Sequence, residues 1–249
     1  MCGIVGGICN NNITPVLVEG LKRLEYRGYD SAGVVVLSKD NKLNRARSVG
    51  KVVNLENSIK DKKIPLDGTI GIAHTRWATH GEPSSRNAHP HICNNTVGVV
   101  HNGIIENFLE LKSEQIKQGY NFTSDTDTEV IAHAIHQALE TCDTLLEATK
   151  KSIKTFKGAY GVGVISPSDP GRIIAARSGS PLVIGISEKG NFIASDQVAL
   201  LDITSKFIFL EEGDIADITL DSLTIYNKEG EQVEREIKTS KLKSGQVSK

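Results

Sequence analysis

The sequence is poor in the features that mark several large classes of protein. Its 249 residues contain four cysteines, Cys2, Cys9, Cys93 and Cys142, and these are too few and too irregularly spaced for a disulfide scaffold or a zinc motif. No apolar run approaches the length of a membrane span, and the basic start and long apolar stretch of a secretory signal are missing. A formal net charge of −1 predicts no partner among nucleic acids or anionic membranes. Together these absences favour a cytoplasmic protein.

The chain also lacks internal repeats, and no Pro- or Ser-rich linker interrupts its first 227 residues. Short runs rich in β-branched residues predict strands near the N-terminus and again after residue 159. Their limits are 3–8, 32–37, 69–74, 96–101, 160–165, 172–176, 182–186, 192–194, 206–210, 215–219 and 224–226. Apolar residues at helical spacing predict helices over 106–118, 127–140 and 144–156, and an earlier helix begins at Thr14. Hairpin-like strand spacing favours antiparallel sheets with helices on their outer faces, so we expect an α+β layered sandwich.

Signals for the ends of these helices are also present. Thr14 can cap the first helix, with Pro15 in its first turn, and Gly28 is a plausible stop. Thr126 and Glu129 have the spacing of a capping box, which predicts the start of a later helix.

Cys2 directly follows the initiator methionine in the opening stretch MCGIVGG. If Met1 is removed, one residue carries both a thiol and a free α-amine, whose reference pKa of about 7.7–8.0 lies near neutral pH. The amine can then accept the thiol proton and later protonate a leaving amine, so the residue is a self-contained nucleophile and base. The alternative is a small buried residue on a first strand, because free cysteines are often buried. While Met1 remains, the nitrogen is an amide and cannot act as the base.

The segment 74–93 leaves a predicted strand and enters a polar loop rich in side chains that recognise ligands. Arg76 offers a planar guanidinium that suits a carboxylate. Trp77, Thr79 and His80 add an apolar wall, a hydroxyl and an imidazole. We therefore expect this loop to form part of a binding site.

Histidines in and near this segment raise the alternative of a metal site. His89, His91 and Cys93 are close together, but their spacing matches no standard zinc pattern. For His74 and His101 we favour hydrogen-bonded histidines of the core. No metal is therefore expected.

The dipeptide Asn102-Gly103 follows the predicted strand that ends at His101. One interpretation is a tight turn, which Asn-Gly usually marks. The other is an oxyanion hole, since an Asn side-chain amide and a Gly backbone N–H can point at the same developing negative charge. These residues alone leave both interpretations open.

Acidic residues cluster before the second of the central helices. Asp125, Asp127 and Glu129, with Glu106 nearby, suggest a divalent cation, but helix capping and compensation of the helix dipole explain most of them. That leaves Asp127 to face a ligand ammonium. Together with Arg76 for a carboxylate, Asp127 predicts a site for a free α-amino acid. No Walker-type glycine-rich loop is present, so nucleotide hydrolysis is not supported.

Four stretches carry a family resemblance when they are taken together: CGIVG (2–6), HTRWATHG (74–81), HNG (101–103) and TDTE (126–129). They resemble the class II glutamine amidotransferases, which are N-terminal nucleophile hydrolases. The resemblance implies a four-layer αββα sandwich of two antiparallel sheets. It also implies that no metal or organic cofactor is needed.

The resemblance implies a role for each site residue as well. Cys2 would attack the side-chain amide of L-glutamine and form a glutamyl thioester, which water hydrolyses to glutamate. Asn102 and Gly103 would hold the oxyanion. The residues implied for the substrate pocket are Arg76 for the α-carboxylate, Asp127 for the α-ammonium, and Trp77, Thr79 and His80 for the walls.

Longer segments narrow the resemblance within that family. LKRLEYRGYDSAG (21–33), AARSGSPLVIG (175–185), IASDQVALL (193–201) and FLEEGDIA (209–216) are similar to members that pass the ammonia to fructose 6-phosphate and make glucosamine 6-phosphate. Those members carry a sugar-phosphate isomerase half after the glutaminase half, and the resemblance implies a full-length homodimer. The alternatives are the glutaminase part of another class II amidotransferase, against which 21–33 and 175–185 argue, and a glutamine-binding regulatory module without catalysis.

Residues 2–227 are expected to form the glutaminase domain. In the segment 228–249, ten of the 22 residues are charged and the apolar positions are scattered. We interpret this segment as a linker or tail that leads toward an isomerase half outside this chain.

Overall fold

Two stacked β-sheets are the framework of the protein in the computed structural model, which describes residues 2–77 and 81–242. That part of the chain forms fifteen strands and five α-helices. Successive residues of a strand send their side chains to opposite faces of the sheet. In β2 (Ser31–Leu37), for example, Val34 and Val36 join one hydrophobic cluster, whereas Val35 joins another. A strand that is apolar on both faces belongs between two other layers.

Each sheet is antiparallel throughout its named strands. The first sheet has eight strands, in the spatial order β15 (Ile237–Thr239), β11 (Lys206–Phe209), β9 (Val183–Ser187), β10 (Gly190–Ala194), β1 (Gly3–Cys9), β4 (Ile70–Arg76), β2 and β3 (Leu43–Val49). The second sheet has seven, in the order β14 (Gln232–Val233), β13 (Leu223–Tyr226), β12 (Ile215–Ile218), β8 (Ile173–Ser178), β7 (Gly158–Ile165), β6 (Val97–Ile105) and β5 (His91–Cys93).

Helices cover the outer face of each sheet. α1 (Thr14–Leu24) and α2 (Val52–Asp61) pack on the first sheet, whereas α4 (Glu129–Leu139) and α5 (Leu145–Ile153) pack on the second, with α3 (Phe108–Lys117) beside α4. The hydrophobic cluster that includes Val35 contains residues of both sheets and fills the space between them. The predicted α+β sandwich with four αββα layers is therefore confirmed. None of the helices in the described part of the chain is long and apolar enough to cross a membrane.

Glycines in β1 allow the neighbouring side chains to pack closely around that strand. The strand is buried along its whole length. A Cβ atom on Gly6 would lie 2.8 Å from Cγ1 of Ile193, and one on Gly7 would lie 2.5 Å from Cδ1 of Phe192. Both distances are shorter than van der Waals contact, so larger side chains at these positions would force the strand and its neighbours apart.

The start of α1 differs from its prediction, and the end agrees with it. Thr14 does not cap the helix, because its hydroxyl donates to the carbonyl of Leu66 (2.6 Å). Instead, Oδ1 of Asn12 accepts a hydrogen bond from the Thr14 N–H at 3.0 Å. Pro15 does lie in the first turn. After a short 3-10 turn the helical backbone ends at Gly28, which has a φ of 101°.

Several elements were not predicted, namely β3, α2 and β5, and also β14 and β15 in the segment 228–249. β14 pairs with β13, and β15 pairs with β11 at the edge of the first sheet. Between them, Arg235 donates to both carboxylate oxygens of the buried Asp214, at 2.9 and 2.8 Å. The domain boundary after residue 227 stays a prediction. Beyond it, β15 and β14 are edge strands of the first and second sheets.

Gly33→Ala in β2 is expected to destabilise the fold, because the new Cβ would lie 2.1 Å from the carbonyl oxygen of His89. Overpacking of this kind costs about 1–3 kcal/mol. Gly98→Ala in β6 is the matched control, since its Cβ would meet Val35 and Ile165 at the ordinary contact distances of 3.4 and 3.5 Å. Urea denaturation should show a lower free energy of unfolding for Gly33→Ala and a change within about 1 kcal/mol for Gly98→Ala. Equal losses would contradict this difference in packing.

Candidate active site

A cavity of about 390 Å³ lies beside the N-terminal end of β1. Six of the eight predicted site residues line it: Cys2, Arg76, Trp77, Asn102, Gly103 and Asp127. Cys2 and Arg76 belong to the first sheet or directly adjoin it, whereas Asn102 and Gly103 belong to the second. The cavity therefore forms where the two sheets approach each other.

The thiol of Cys2 lies against the backbone of Trp77. The Trp77 N–H donates to Sγ at 3.2 Å, and the thiol is 3.5 Å from the Trp77 carbonyl oxygen, to which it donates. Although the residue as a whole is partly exposed, desolvation of the thiol raises the pKa of Cys2, while the hydrogen bond from the Trp77 backbone acts in the opposite direction. The sulfur is therefore protonated at neutral pH and needs a base before it can act as a nucleophile.

Asn102 lies inside β6, and its side chain joins the two sheets. Its Nδ2 donates to the carbonyl oxygen of Cys2 at 3.2 Å, and its Oδ1 accepts a hydrogen bond from Nε2 of His74 at 3.0 Å. An amide NH2 group carries two hydrogens, so the bond to Cys2 uses one of them. The second hydrogen is on the same amide group of Asn102, which lines the cavity together with Cys2.

Gly103 follows in the same strand, so the tight-turn interpretation of Asn102-Gly103 is wrong. The two residues pair with Gly161 and Tyr160 of β7. Gly103 has a φ of 128°, and a Cβ atom there would lie 2.0 Å from the carbonyl oxygen of Ala159. Only glycine fits this close approach, and Gly103 is one of the residues that line the cavity.

Four buried histidines, His74, His89, His91 and His101, lie at and behind the cavity wall. Burial lowers all four pKa values, that of His74 to about 3, so the rings are neutral at pH 7. Oγ1 of Thr128 lies 2.7 Å from Nε2 of His89 and 2.9 Å from Nδ1 of His101. These contacts support hydrogen-bonded core histidines. Within residues 2–77 and 81–242, no group of His, Cys, Asp or Glu side chains is arranged to hold a metal ion.

Arg76 supplies a buried positive charge at the end of β4, where it is 3% exposed. Its guanidinium donates to the carbonyl oxygens of Gly81 at 2.9 Å and Glu82 at 3.3 Å. Nη1 also lies 3.6 Å from Oδ1 of Asp30. These contacts fix the orientation of the cation at the cavity wall.

Asp127 supplies a buried negative charge and is 4% exposed. Its Oδ2 accepts a hydrogen bond from the N–H of Ile105 at 2.8 Å. The residues on either side of Asp127 are held by the buried histidines: Oγ1 of Thr126 lies 3.0 Å from Nε2 of His91, and Thr128 bonds as described above. The carboxylate is therefore presented to the cavity on a segment anchored from behind.

Glu129 forms no capping box with Thr126, so that prediction is wrong. Its buried carboxylate accepts hydrogen bonds from the N–H groups of Thr123 at 2.9 Å and Ser124 at 2.8 Å, and from both hydroxyls. In a capping box Glu129 would accept from the N–H of Thr126, but that N–H donates to the hydroxyl of Ser124 at 3.4 Å. Glu129 thus closes the turn that carries Asp127.

Trp77 extends the cavity wall toward solvent, with 53% of its surface exposed. Its ring covers Gly28, where a Cβ atom would lie 2.4 Å from ring atom Cε3. A glycine is therefore required beneath the indole. The predicted site residues Thr79 and His80 lie outside the described residues.

The sequence predictions missed part of the cavity wall, which Ser180 and Pro181 also line. The loop before them is held by the carboxylate of Glu212, which accepts from the Ser178 hydroxyl at 2.8 Å and from the Gly179 N–H at 2.9 Å. A signal for this wall was present, because the motif AARSGSPLVIG contains both lining residues. That motif supports the family resemblance, but its residues by themselves do not point to the cavity.

The chain is similar in sequence to known amidotransferases. Residues 74–202 match the family model of the glutamine amidotransferase domain. The chain is 56% identical over 236 residues to glutamine–fructose-6-phosphate aminotransferase (isomerizing) from Pseudomonas putida, covering 95% of this chain and 38% of that protein. It is 54% identical over 249 residues to the protein of the same name from Haemophilus influenzae, covering 100% of this chain and 40% of that protein. The chain thus spans well under half the length of these curated relatives.

A solved structure of similar fold is glutamine phosphoribosylpyrophosphate amidotransferase from B. subtilis, complexed with ADP and GMP. The superposition has a TM-score of 0.77 at 26% sequence identity, and it covers 91% of this chain and 49% of that chain. The sandwich found here is therefore similar to part of a longer amidotransferase.

The raised pKa of Cys2 predicts slow alkylation at neutral pH in the chain that retains Met1. Because iodoacetamide reacts with the thiolate, the rate at Cys2 should keep rising above the ordinary thiol pKa of 9.0. Peptide mapping by mass spectrometry separates Cys2 from the other three cysteines, and N-acetylcysteine provides the reference curve. A midpoint at or below that of N-acetylcysteine would show that desolvation does not dominate at this thiol.

Proposed function

Because this chain belongs to the glutamine amidotransferase family, as the four motifs predicted, we propose that it hydrolyses the side-chain amide of L-glutamine to glutamate and ammonia. The observation that carries this proposal is the cavity in which the Cys2 thiol, the Asn102 amide, a buried cation and a buried carboxylate meet. A free α-amino acid with an amide side chain has a complementary group for each of them.

Cys2 is the proposed nucleophile, with its own α-amine as the base once Met1 has been removed. The thiol proton passes to the amine, directly or through a water, and the sulfur attacks the amide carbon. The C–N bond then breaks, and the amine returns the proton to the leaving nitrogen, which departs as ammonia. Water hydrolyses the remaining thioester, which releases glutamate and restores the thiol. Because the raised pKa of Cys2 keeps the sulfur protonated at neutral pH, this mechanism requires a base close by.

Asn102 and Gly103 are the proposed oxyanion donors. The support is their position, since both line the cavity and the Asn102 amide already contacts the backbone of Cys2. As the carbonyl carbon becomes tetrahedral, its oxygen gains negative charge, which a fixed N–H donor stabilises more strongly than it stabilises the neutral substrate.

Arg76 and Asp127 are the proposed contacts to the α-carboxylate and the α-ammonium. Both charges are buried at the cavity wall and anchored to backbone groups, and Arg76 also contacts Asp30, so the α-carboxylate and the α-ammonium of a ligand would meet charges whose orientation is already fixed. In the same proposal, Trp77, Thr79 and His80 shape the pocket around the side chain of glutamine.

For the full-length protein we further propose that the ammonia is passed to fructose 6-phosphate to make glucosamine 6-phosphate. The support is 54–56% identity to relatives named glutamine–fructose-6-phosphate aminotransferase (isomerizing), of which this chain spans 38–40%. The partner would be a sugar-phosphate isomerase half in a cytoplasmic homodimer. Residues 2–227 would form the glutaminase domain, and 228–249 would lead to that half. None of the proposed glutaminase steps requires a metal or an organic cofactor.

Two alternatives differ from this proposal in their consequences. The glutaminase part of another class II amidotransferase would share the cavity, but identity to the B. subtilis phosphoribosylpyrophosphate enzyme is 26%, against 56% for the Pseudomonas putida aminotransferase. A glutamine-binding regulatory module would bind glutamine without releasing ammonia, even after loss of Met1.

Ammonia release from glutamine should require both Cys2 and the loss of Met1. Intact-mass measurement establishes whether Met1 is absent, and a glutamate dehydrogenase assay follows the ammonia. Cys2→Ser should lower kcat by at least about 10³, since replacing the nucleophile of another hydrolase costs up to about 10⁶.

Cys9→Ser at the opposite end of β1 is the matched control, because a serine keeps the hydrogen bond that Cys9 donates to the Asn11 carbonyl at 3.1 Å. Wild-type turnover by Cys2→Ser would remove the thiol from the mechanism. Binding without turnover in a chain that lacks Met1 would favour the regulatory module.

Asp127→Asn should weaken glutamine binding, because an amide cannot neutralise the ligand ammonium. Removing one partner of a buried charge pair costs about 2–5 kcal/mol. The fold should persist, since the amide oxygen can still accept from the Ile105 N–H. Asp125→Asn is the control, because its carboxylate pairs with Arg86 at the surface. Isothermal titration in a Cys2→Ser background measures both affinities, and an unchanged value for Asp127→Asn would refute its role.

A further inference from the structure

His74 connects the two sheets directly behind the amide of Asn102. It lies in β4 of the first sheet, and its side chain is fully buried. Its Nε2 is 3.0 Å from Oδ1 of Asn102, which belongs to the second sheet. The cavity lining in the described structure includes Asn102 and does not include His74, so His74 reaches the cavity through Asn102.

The chemistry of this contact determines where His74 carries its proton. The carbonyl oxygen of Cys2 only accepts hydrogen bonds, so it takes Nδ2 of Asn102 as its donor and leaves Oδ1 facing His74, whose Nε2 then carries the hydrogen. Burial lowers the pKa of His74 to about 3, which leaves the ring neutral with a single N–H at pH 7. His74 is therefore a fixed donor toward the oxygen of Asn102.

The two contacts of Asn102 select one orientation of its amide. Nδ2 faces the carbonyl oxygen of Cys2, and Oδ1 faces the N–H of His74. Exchanging the two amide atoms would set an acceptor against an acceptor at Cys2 and would require the proton of His74 to move from Nε2 to Nδ1. Each unsatisfied buried group costs about 1–3 kcal/mol, so the NH2 group stays directed toward Cys2.

The ring of His74 is itself held in place. His89 stacks on it with ring centroids 4.2 Å apart, and Nε2 of His89 lies 2.7 Å from Oγ1 of Thr128. Thr128 directly follows Asp127, so the His89 ring that stacks on His74 is tied to the segment that carries the Asp127 carboxylate.

We propose that His74 is a positioning residue that holds the Asn102 amide with its NH2 group directed toward Cys2 and the cavity before substrate binds. This inference rests on the proposed glutaminase function. Because His74 acts through an oxyanion donor and does not line the cavity, its loss should slow the chemical step and leave glutamine binding intact.

His74→Asn and His74→Gln are the matched pair that tests this role. A glutamine side chain can place its NH2 group where Nε2 of the imidazole lies, whereas an asparagine reaches only to the position of Nδ1. His74→Asn should lower kcat about tenfold to a hundredfold with KM changed by no more than about twofold, since outright loss of an oxyanion donor costs about 10²–10³. His74→Gln should restore most of kcat.

His133→Asn controls for the loss of a buried histidine as such. His133 lies in α4, where it bonds to Sγ of Cys93 at 3.1 Å, and neither residue lines the cavity. The kcat of the His133→Asn variant should match that of the wild type. A fall in kcat as large as that of His74→Asn would show a general structural effect and overturn the proposal.

A double-mutant cycle separates positioning from other effects. In an Asn102→Ala background, His74→Asn should cause no further fall in kcat, because the group that it orients is gone. A further fall of the same size would overturn the proposal, as would a raised KM with unchanged kcat. Thermal unfolding of each variant confirms that the comparison is made on folded protein.

The orientation can also be measured without turnover. In the Cys2→Ser chain, NMR signals of the Asn102 side-chain NH2, assigned by their loss in Asn102→Ala, should exchange slowly with solvent. When His74→Gln is added to the Cys2→Ser chain, these signals should still exchange slowly. When His74→Asn is added, they should exchange faster. Unchanged signals in His74→Asn would refute the positioning role, whereas a wild-type chain without Met1 that releases no ammonia would refute the proposed function.

Discussion

The burial of β1 on both faces is the constraint on which the rest of the site depends. The strand pairs with β4 and β10 in the middle of the first sheet, and the absence of side chains at Gly6 and Gly7 lets Ile193 and Phe192 close over it. Cys2 is the residue directly before this strand, so its sulfur is positioned by the core and not by a flexible loop. The second sheet contacts Cys2 through Asn102, whose side-chain amide donates to the Cys2 carbonyl oxygen.

Exclusion of water from the same region sets the charge states around the sulfur. Burial raises the pKa of Cys2 and lowers that of His74, so both groups are neutral at physiological pH. In the proposed mechanism the base is therefore the α-amine of the processed Cys2, since the buried histidines serve as hydrogen-bonding groups of the wall. Arg76 and Asp127 keep their positions through backbone contacts, so in the proposed function a zwitterionic amino acid would meet a site that is already organised.

The pattern of apolar residues in the sequence predicted strands correctly wherever that pattern reflected burial. The apolar runs that became β1, β2, β6 and β7 were recognised, because a strand buried on both faces must be apolar at consecutive positions. β3 was missed because its sequence, LNRARSV, carries two arginines. Their guanidinium groups donate to carbonyl oxygens of the 86–90 segment, which lies about 40 residues away. The caps at Thr14 and Thr126 failed for a similar reason, since distant acceptors and donors took the side chains that a local rule had assigned.

By itself the sequence determined the family, and it predicted the residues of the proposed site, because short contiguous motifs contain both the family signature and those residues. Removal of one methionine would put a thiol and an amine on the same residue whatever the fold. Tertiary structure alone decided that Asn102 lies in a strand and not in a turn, that His74 stands behind its amide, and that Ser180 and Pro181 complete the wall. These facts arise from contacts between residues far apart in the chain, which exist only once the two sheets have stacked and excluded water between them.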